Sequence, residues 1–368
     1  MTKARIPYEP QEVTAPGETL AELLDEQNMT QTELAERMGR PLKAINQIIN
    51  GKKAITAETA IQLEHVFRVP AAYWLKHESE YRAYLARLEE EKKYEEWFPW
   101  LNQMPINELK RIQVLPNLVN NGKNRATLLR ALLDFFGVAS PHEWDKIYGE
   151  MRTAYRRSMA DRSDQYAVAA WLRLGELQVA GVDCPRYDPR RFQEALCEIR
   201  TLTVLPPEEF EPKLKSACLN AGVILALVPS LPGARVSGAA RWINGRPVIQ
   251  LSLYGKKNDR FWFTFFHEAG HLLKHGQEFV FLDEKWDAND LGSFEEEANT
   301  FAARWLIPEQ YNHELPGLKV KVDVIAFAQR IGIHPGIVVG RLQHEEIIDQ
   351  SWMHDLKDTF AWNNSAHD

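Results

Sequence analysis

Two histidines one helical turn apart, with a glutamate between them, place the tightest constraint on how this 368-residue chain folds. In the pentad His267-Glu268-Ala269-Gly270-His271, residues i and i+4 share a helix face, so both imidazoles can aim a ring nitrogen at one cation. Glu268 lies about 100° round the helix, beside the coordination position that such a cation would leave open. Phe261-Trp262-Phe263-Thr264-Phe265-Phe266 precedes the pentad and Leu272-Leu273 follows it, which predicts a buried helix with its polar groups in apolar surroundings. Two imidazoles and an adjacent carboxylate in that setting are the pattern of hydrolytic zinc, with Glu268 as general base. Gly270 costs a helix interior about 1 kcal/mol relative to Ala, and its presence predicts a neighbouring backbone passing close by.

A third ligand is needed, and the segment Phe294 to Pro308 offers one on a helix that Pro308 stops. Glu295 leads a face that continues through Ala298, Asn299, Ala302 and Ala303, small residues that allow tight packing against the pentad helix. That packing would bring Glu295 within ligand distance, while Glu296 and Glu297 point elsewhere. A glutamate cluster in a first turn also compensates the helix macrodipole; the pentad upstream tips the reading towards ligation. Asn299, one turn after Glu295, is placed to hydrogen-bond the free ring nitrogen of a histidine ligand and so fix its tautomer and aim.

HEAGHLLKHG, then EEEANTFAARWLIP, then Ile331-Gly332-Ile333-His334-Pro335-Gly336-Ile337-Val338-Val339-Gly340-Arg341-Leu342-Gln343 together resemble the ImmA/IrrE family of zinc metallopeptidases, over about Ala221 to Glu346. The resemblance implies that His267, His271 and Glu295 hold Zn2+ and that Glu268 is catalytic, the same four residues that spacing selects. Upstream, Val223 to Pro229 reads as a buried strand, and Val236 to Ile243 and Pro247 to Leu253 as two strands around an Asn244-Gly245 hairpin turn. A sheet edge is expected to border the cleft, where an extended peptide could pair with it. His334 reads as a helix cap and Arg341 as a structural residue, so neither is placed in the catalytic set.

The N-terminal end carries a second pattern. Glu18 to Gln27, Glu33 to Met38 behind a Thr30-Gln31-Thr32-Glu33 capping box, Pro41 to Ile49 and Thr56 to Phe67 read as short helices joined by tight turns. Leu34, Ala35, Ile45, Ile48 and Ile49 supply the inner faces, and Gly39 ends the second helix. This arrangement, with MTQTELAERMGRPLKAINQIINGKKAIT, resembles the Cro/cI-like (XRE) helix-turn-helix and is similar to HigA-type antitoxins, with the recognition helix third. Between Arg37 and Lys53 the charged residues are Arg37, Arg40, Lys43, Lys52 and Lys53, with no acid among them, although the whole chain has a formal net charge of −7. One face can therefore approach phosphates while the rest of the molecule stays acidic. Asn46 and Gln47 suit adenine edges, Lys43 suits guanine or phosphate, and Gln31, Thr32, Arg40, Lys52 and Lys53 suit backbone contacts.

The length leaves room for two or three domains, and 45% hydrophobic residues is ordinary for a globular protein. No run of 18 apolar residues exists and Met1 to Pro7 lacks an apolar signal core, so no membrane association and a cytoplasmic location are expected. Cys184, Cys197 and Cys218 lack CxxC spacing and read as reduced thiols. The expected fold class is mostly α with a small α+β part: a helix-turn-helix bundle at 13–78, a helical middle region at 79–220, a zincin-like domain with a small sheet and an HExxH helix at 221–346, and a tail at 347–368. The expected function is a DNA-binding transcriptional regulator, homodimeric on double-stranded operator DNA, whose zinc endopeptidase domain cleaves a regulatory protein partner. The alternative is an antitoxin-like autorepressor of a toxin–antitoxin or phage-defence operon, whose zinc domain binds a cognate toxin or senses a partner without turnover.

Overall fold

The computed structural model describes residues 13–158, 164–252, 256–275 and 288–360. The described residues fall into two compact units, one containing the residues up to Leu101 with Leu118–Arg130, the other Asn102–Asn117 and the chain from Ala131 onward. The N-terminal residues on which the leader expectation rests, and residues 361–368 of the expected tail, lie outside the described residues.

The first unit is helical. Its opening bundle comprises α1 (Pro16–Glu26), α2 (Gln31–Met38), α3 (Leu42–Ile49) and α4 (Ala57–Phe67), and α5 (Ala71–Gln103) begins just after it. Thr30 and Thr56 cap α2 and α4 by accepting from the backbone N–H three residues on, which satisfies a donor that helix geometry leaves unpaired. Gly39 ends α2 in the left-handed region and aims the chain into α3. Leu20, Leu34, Ile45, Ile48, Leu63 and Trp74 fill the core between these helices. The first turns of α5 are tied to the loop after α3, because the buried Glu78 accepts from the Ile55 N–H at 3.1 Å and from Arg82 at 2.6 Å.

The second unit is built around a three-stranded sheet of β1 (Ile224–Leu227), β2 (Gly238–Ile243) and β3 (Arg246–Leu251) in the order β1-β3-β2. β1 runs parallel to β3 and β2 antiparallel to it, through a two-residue turn whose Asn244 and Gly245 both have positive φ, as that hairpin type requires. The pleat divides the strands between two layers. Leu225, Leu227, Ala240, Ile249 and Leu251 face a large core that includes α12 (Asn258–Lys274), while Arg241 and Gln250 face α9 (Gln165–Val179).

Around the α12 core are α10 (Pro189–Thr201), α11 (Pro207–Asn220), α13 (Ala288–Leu306), α14 (Lys321–Ile331) and α15 (Pro335–His344). The Arg200 guanidinium donates to the carbonyls of Trp305, Leu306 and Ile331 at 2.8–3.3 Å, pairing the unsatisfied C-terminal ends of α13 and α14. His334 caps α15 by accepting from the Gly336 N–H at its Nδ1. After α15 the chain folds back, so that Phe360 enters the core and Lys357 bonds Asp259 and Gln343 at 2.6 Å. Between Leu101 and α10 lie α6 (Ile106–Arg111), α7 (Arg125–Phe136) and α8 (Pro141–Ser158), and Trp144 stacks on Tyr148 and Tyr166 to join α8 to α9. Among the described residues no single helix is long and apolar enough to cross a membrane. The three cysteines carry free thiols.

The layer beneath the sheet is polar where it meets α9. Arg241 bonds Glu176 at 3.0 Å, the Leu172 carbonyl at 2.8 Å and Gln250 at 2.9 Å, and Gln250 donates to the Trp171 carbonyl at 2.7 Å. Removing one member of a buried, hydrogen-bonded charge network strands its partners. Arg241→Met is therefore expected to destabilise the chain by about 3 kcal/mol, read as a lowered unfolding midpoint in denaturant. A change within about 0.5 kcal/mol, the range of ordinary surface substitutions, would show that the network carries no such weight.

Candidate metal centre and nucleic-acid interface

The aromatic run before the pentad packs α12 into the core, with Trp262, Phe265 and Phe266 fully buried, and leaves one polar face turned to α13. α13 lies against that face through Ala298 and Ala302, both buried, and Phe266 stacks on Trp305. Gly270 lies in this contact: a Cβ there would stand 3.1–3.3 Å from the Phe301 side chain. The expectation of a neighbouring backbone is thus corrected, since an aromatic ring fills the space.

The crossing of α12 and α13 brings His267 Nε2 to 3.0 Å from His271 Nε2. Glu295 reaches both from α13, at 3.2 Å from His267 and 3.6 Å from His271. The donor atoms of the three residues lie within 4.8 Å of one another. His267 and His271 are 13% and 4% exposed at the side chain and Glu295 is 33% exposed, so the group opens to solvent on the glutamate side. Asn299 Oδ1 stands 3.0 Å from His267 Nδ1. A hydrogen on Nδ1, donated to that oxygen, leaves Nε2 with a bare lone pair facing the other acceptors.

Two nitrogen lone pairs and a carboxylate converging at this distance repel one another unless positive charge lies between them. The titration behaviour agrees. Burial lowers the His267 pKa, but the hydrogen bond to Glu295 and the charges of Glu268 and Glu295 outweigh it and raise it. Burial and the neighbouring rings of His267 and His275 push His271 down to about 2. The convergence of two imidazoles and one carboxylate, open to solvent on the glutamate side, fits the two-histidine, one-carboxylate donor set of a zinc ion with an open position.

Glu268 is on the adjacent face of α12, under the edge strand β2. A Cβ at Gly238 would lie 2.8 Å from Glu268 Oε1 and 2.5 Å from the Thr264 methyl, so only glycine lets β2 approach the carboxyl this closely. Burial pushes the Glu268 carboxyl up to about 7, with Glu295 adding to the rise and His267 and the Ala240 backbone N–H opposing it. The sheet edge expected beside the cleft is this one: among the described residues β2 pairs only with β3, and its Ala240 N–H faces Glu268. A groove of about 550 Å³ starts at Asn299 and runs between α12, α13 and α15 over Phe263, Leu306 and Ile337.

Two residues at this centre escaped the sequence reading. His275, one turn after His271, brings its Nδ1 to 3.1 Å from His271 Nδ1, and Glu297, expected to point elsewhere, lies 3.2 Å from His275 Nε2. The signal was present as a third histidine at the same four-residue spacing. Arg341, placed outside the catalytic set, bonds Glu345 at 2.6 Å.

In the N-terminal bundle, Lys43 and Asn46 on α3 are exposed and Gln47 is half-buried, on the side opposite Ile45 and Ile48. Asn46 reaches back to Gln31 at 3.4 Å, joining the start of α2 to the middle of α3. Thr32, Lys52 and Lys53 are exposed. Arg40 differs from these: its side chain is 16% exposed, pairs with Glu58 at 3.3 Å and bonds Gln62. Its guanidinium is engaged within the domain, against α4.

Comparison with known proteins agrees with this division. Residues 20–74 match the helix-turn-helix family model, and residues 227–343 match the IrrE N-terminal-like domain, a peptidase family model. The helix-turn-helix match lies in the first unit and the peptidase-family match in the second. It is 39% identical over 51 residues to virulence-associated protein A of Dichelobacter nodosus, a match that takes in 14% of this chain and 50% of that protein. The chain therefore spans about half the length of the curated relative it matches. Among solved structures, it is similar to an antidote protein of a plasmid maintenance system from Nostoc punctiforme, at 28% identity over 23% of this chain and 91% of that one, with a TM-score of 0.22. It is also similar to an addiction module antidote protein of a HigA family from Coxiella burnetii, at 31% identity over 23% of this chain and 95% of that one, with a TM-score of 0.22.

The raised Glu268 pKa gives the metal-free chain a defined pH response. The folded chain keeps a proton on this carboxyl up to about 7, whereas an unfolded chain releases it near the ordinary 4.5. The stabilising contribution is therefore complete below about 4.5 and is lost as pH rises through about 7. Glu268→Gln should remove that loss, so denaturation midpoints of parent and variant measured across this window should diverge as pH rises. Parallel curves would contradict the burial of the carboxyl.

Proposed function

We propose that the chain is a transcriptional regulator that binds double-stranded operator DNA through α3 and uses a zinc-dependent endopeptidase centre to cleave a regulatory protein partner. The observation that carries the catalytic part is the convergence of His267 Nε2, His271 Nε2 and the Glu295 carboxylate, with Glu268 buried beside them. These three side chains would hold the zinc ion, which when bound polarises the scissile carbonyl and acidifies a water molecule.

Glu268 acts on protons. As a carboxylate it takes one from the attacking water and then, as an acid, passes it to the departing amide nitrogen. A carboxyl that titrates near neutral pH suits both roles. The open edge of β2 offers main-chain pairing to an extended peptide, which would hold the scissile bond beside Glu268. The groove beginning at Asn299 would accept a substrate side chain over its apolar floor.

On the DNA side, Asn46 and Gln47 are assigned to base edges and Lys43, Lys52 and Lys53 to phosphates or guanine, with Gln31 and Thr32 at the backbone. A homodimer reading two half-sites in the cytoplasm completes the picture. Lys52→Ala with Lys53→Ala should weaken binding to all sequences and reduce the slope of log K against log salt by about 2, while Asn46→Ala should relax sequence preference. Selection of bound fragments with the parent and these variants checks both, and an Asn46→Ala protein with unchanged preference would remove α3 from base reading.

Glu268→Gln tests the peptidase. The variant should still repress its operon and still bind zinc, yet leave the partner protein uncleaved, so that the partner accumulates in cells. If repression persists and no protein accumulates, the second reading takes over: an antitoxin-like repressor in which the zinc domain holds a toxin or senses a partner without turnover.

A further inference from the structure

We propose that Glu297 and His275 form a hydrogen-bonded relay that locks His271 into the tautomer able to ligate a metal, both acting as positioning residues. The relay presupposes the zinc-peptidase reading, and adds to it two residues that the donor set does not include.

His275 follows the last turn of α12, its N–H bonded to the His271 carbonyl at 3.0 Å. Its side chain is only 4% exposed, packed against the Phe294 ring with centroids 4.5 Å apart. One of its ring nitrogens faces a carboxylate and the other a ligand histidine: Nε2 is 3.2 Å from Glu297 Oε2 and Nδ1 is 3.1 Å from His271 Nδ1.

The direction of each bond follows from the fixed end of the chain. An ionised carboxylate only accepts, so His275 carries its hydrogen on Nε2. A neutral imidazole with that hydrogen has a bare Nδ1, which must accept. His271 must then donate from its own Nδ1, and this leaves its Nε2 lone pair aimed at His267 and Glu295, where the metal donors meet. The opposite arrangement would set a lone pair against the Glu297 carboxylate and put a hydrogen on the ligating nitrogen of His271.

α13 thus serves the centre three times at alternate positions. Glu295 is a ligand, Asn299 orients His267 directly, and Glu297 orients His271 through an interposed ring. Outer partners of this kind typically contribute 10–100-fold to metal affinity.

The test uses the full chain. His275→Phe keeps an aromatic ring against Phe294 and loses both bonds; zinc affinity, measured by competition with a chromogenic chelator, should fall on the order of 10–100-fold. Glu297→Ala, on an exposed side chain, should lower it in the same direction, and Glu297→Gln, whose amide oxygen still accepts, should remain nearer the parent. Should His275→Phe fail to fold, the Glu297 pair carries the affinity test.

A second readout needs no metal. Nitrogen NMR of histidine-labelled, metal-free parent should show His271 protonated on Nδ1 and His275 on Nε2, with His271 released to a mixture of tautomers in His275→Phe. Those tautomers in a parent that binds no zinc would sink the peptidase reading and leave the relay standing. Other tautomers in the parent, or unchanged zinc affinity together with an unchanged His271 tautomer in His275→Phe, would overturn the relay.

Discussion

Three electron-pair donors that would repel one another are held together where α12 crosses α13, and the second unit is arranged to keep them there. His267 and His271 come from one helix and Glu295 from the other, so the donor set exists only while the two helices stay in contact. Small residues make the contact tight. Ala298, Ala302 and Gly270 let Phe301 and the Phe266–Trp305 stack close the gap, and Arg200 ties the end of α13 to that of α14. Hydrophobic burial thus supplies the main force, and the Asn299–His267 and Glu297–His275 pairs add polar contacts across the same crossing.

The sheet has a different task. β3 sits in the middle, pinned from below by Gln250 and from the side by β1, and β2 is carried against it by the hairpin turn. Arg241 fastens β2 to α9, so the strand whose free edge meets Glu268 is anchored from the face opposite the site. Rigid support behind a reactive carboxyl is what general acid–base chemistry asks for, because geometry and local dielectric both set its pKa. The deep burial that raises Glu268 to about 7 therefore depends on the aromatic face of α12 and on the close approach of β2.

Much of this was legible in the sequence because it rests on local periodicity. The pentad fixes its own helix face, the Asn244-Gly245 pair fixes the hairpin, and Thr30 and Thr56 mark helix starts, all within a few residues of one another. The four residues of the candidate centre were selected by spacing alone, and Asn299 by its one-turn offset from Glu295. What periodicity could not reveal are partners set by tertiary approach. Glu297 was expected to face away because its own helix turns it away from Glu295, yet His275 reaches out from the end of α12 to meet it. Arg40 belongs to the basic run by its neighbours in sequence, and the sequence does not show that α4 brings Glu58 and Gln62 to it from 18 and 22 residues on. Gly270 was read as room for a backbone, and only the packed helices show a phenylalanine there.

The peptidase activity proposed for the second unit requires that His267, His271 and Glu295 grip one divalent ion. Zinc-edge X-ray absorption on the purified full chain, with metal content measured on the same sample, addresses it directly. One zinc per chain, in a shell of two imidazole nitrogens and oxygen donors that is lost in Glu295→Ala, is the expected result. A chain that stays metal-free after supplementation, or a bound zinc whose shell is unaltered by that substitution, would contradict the account.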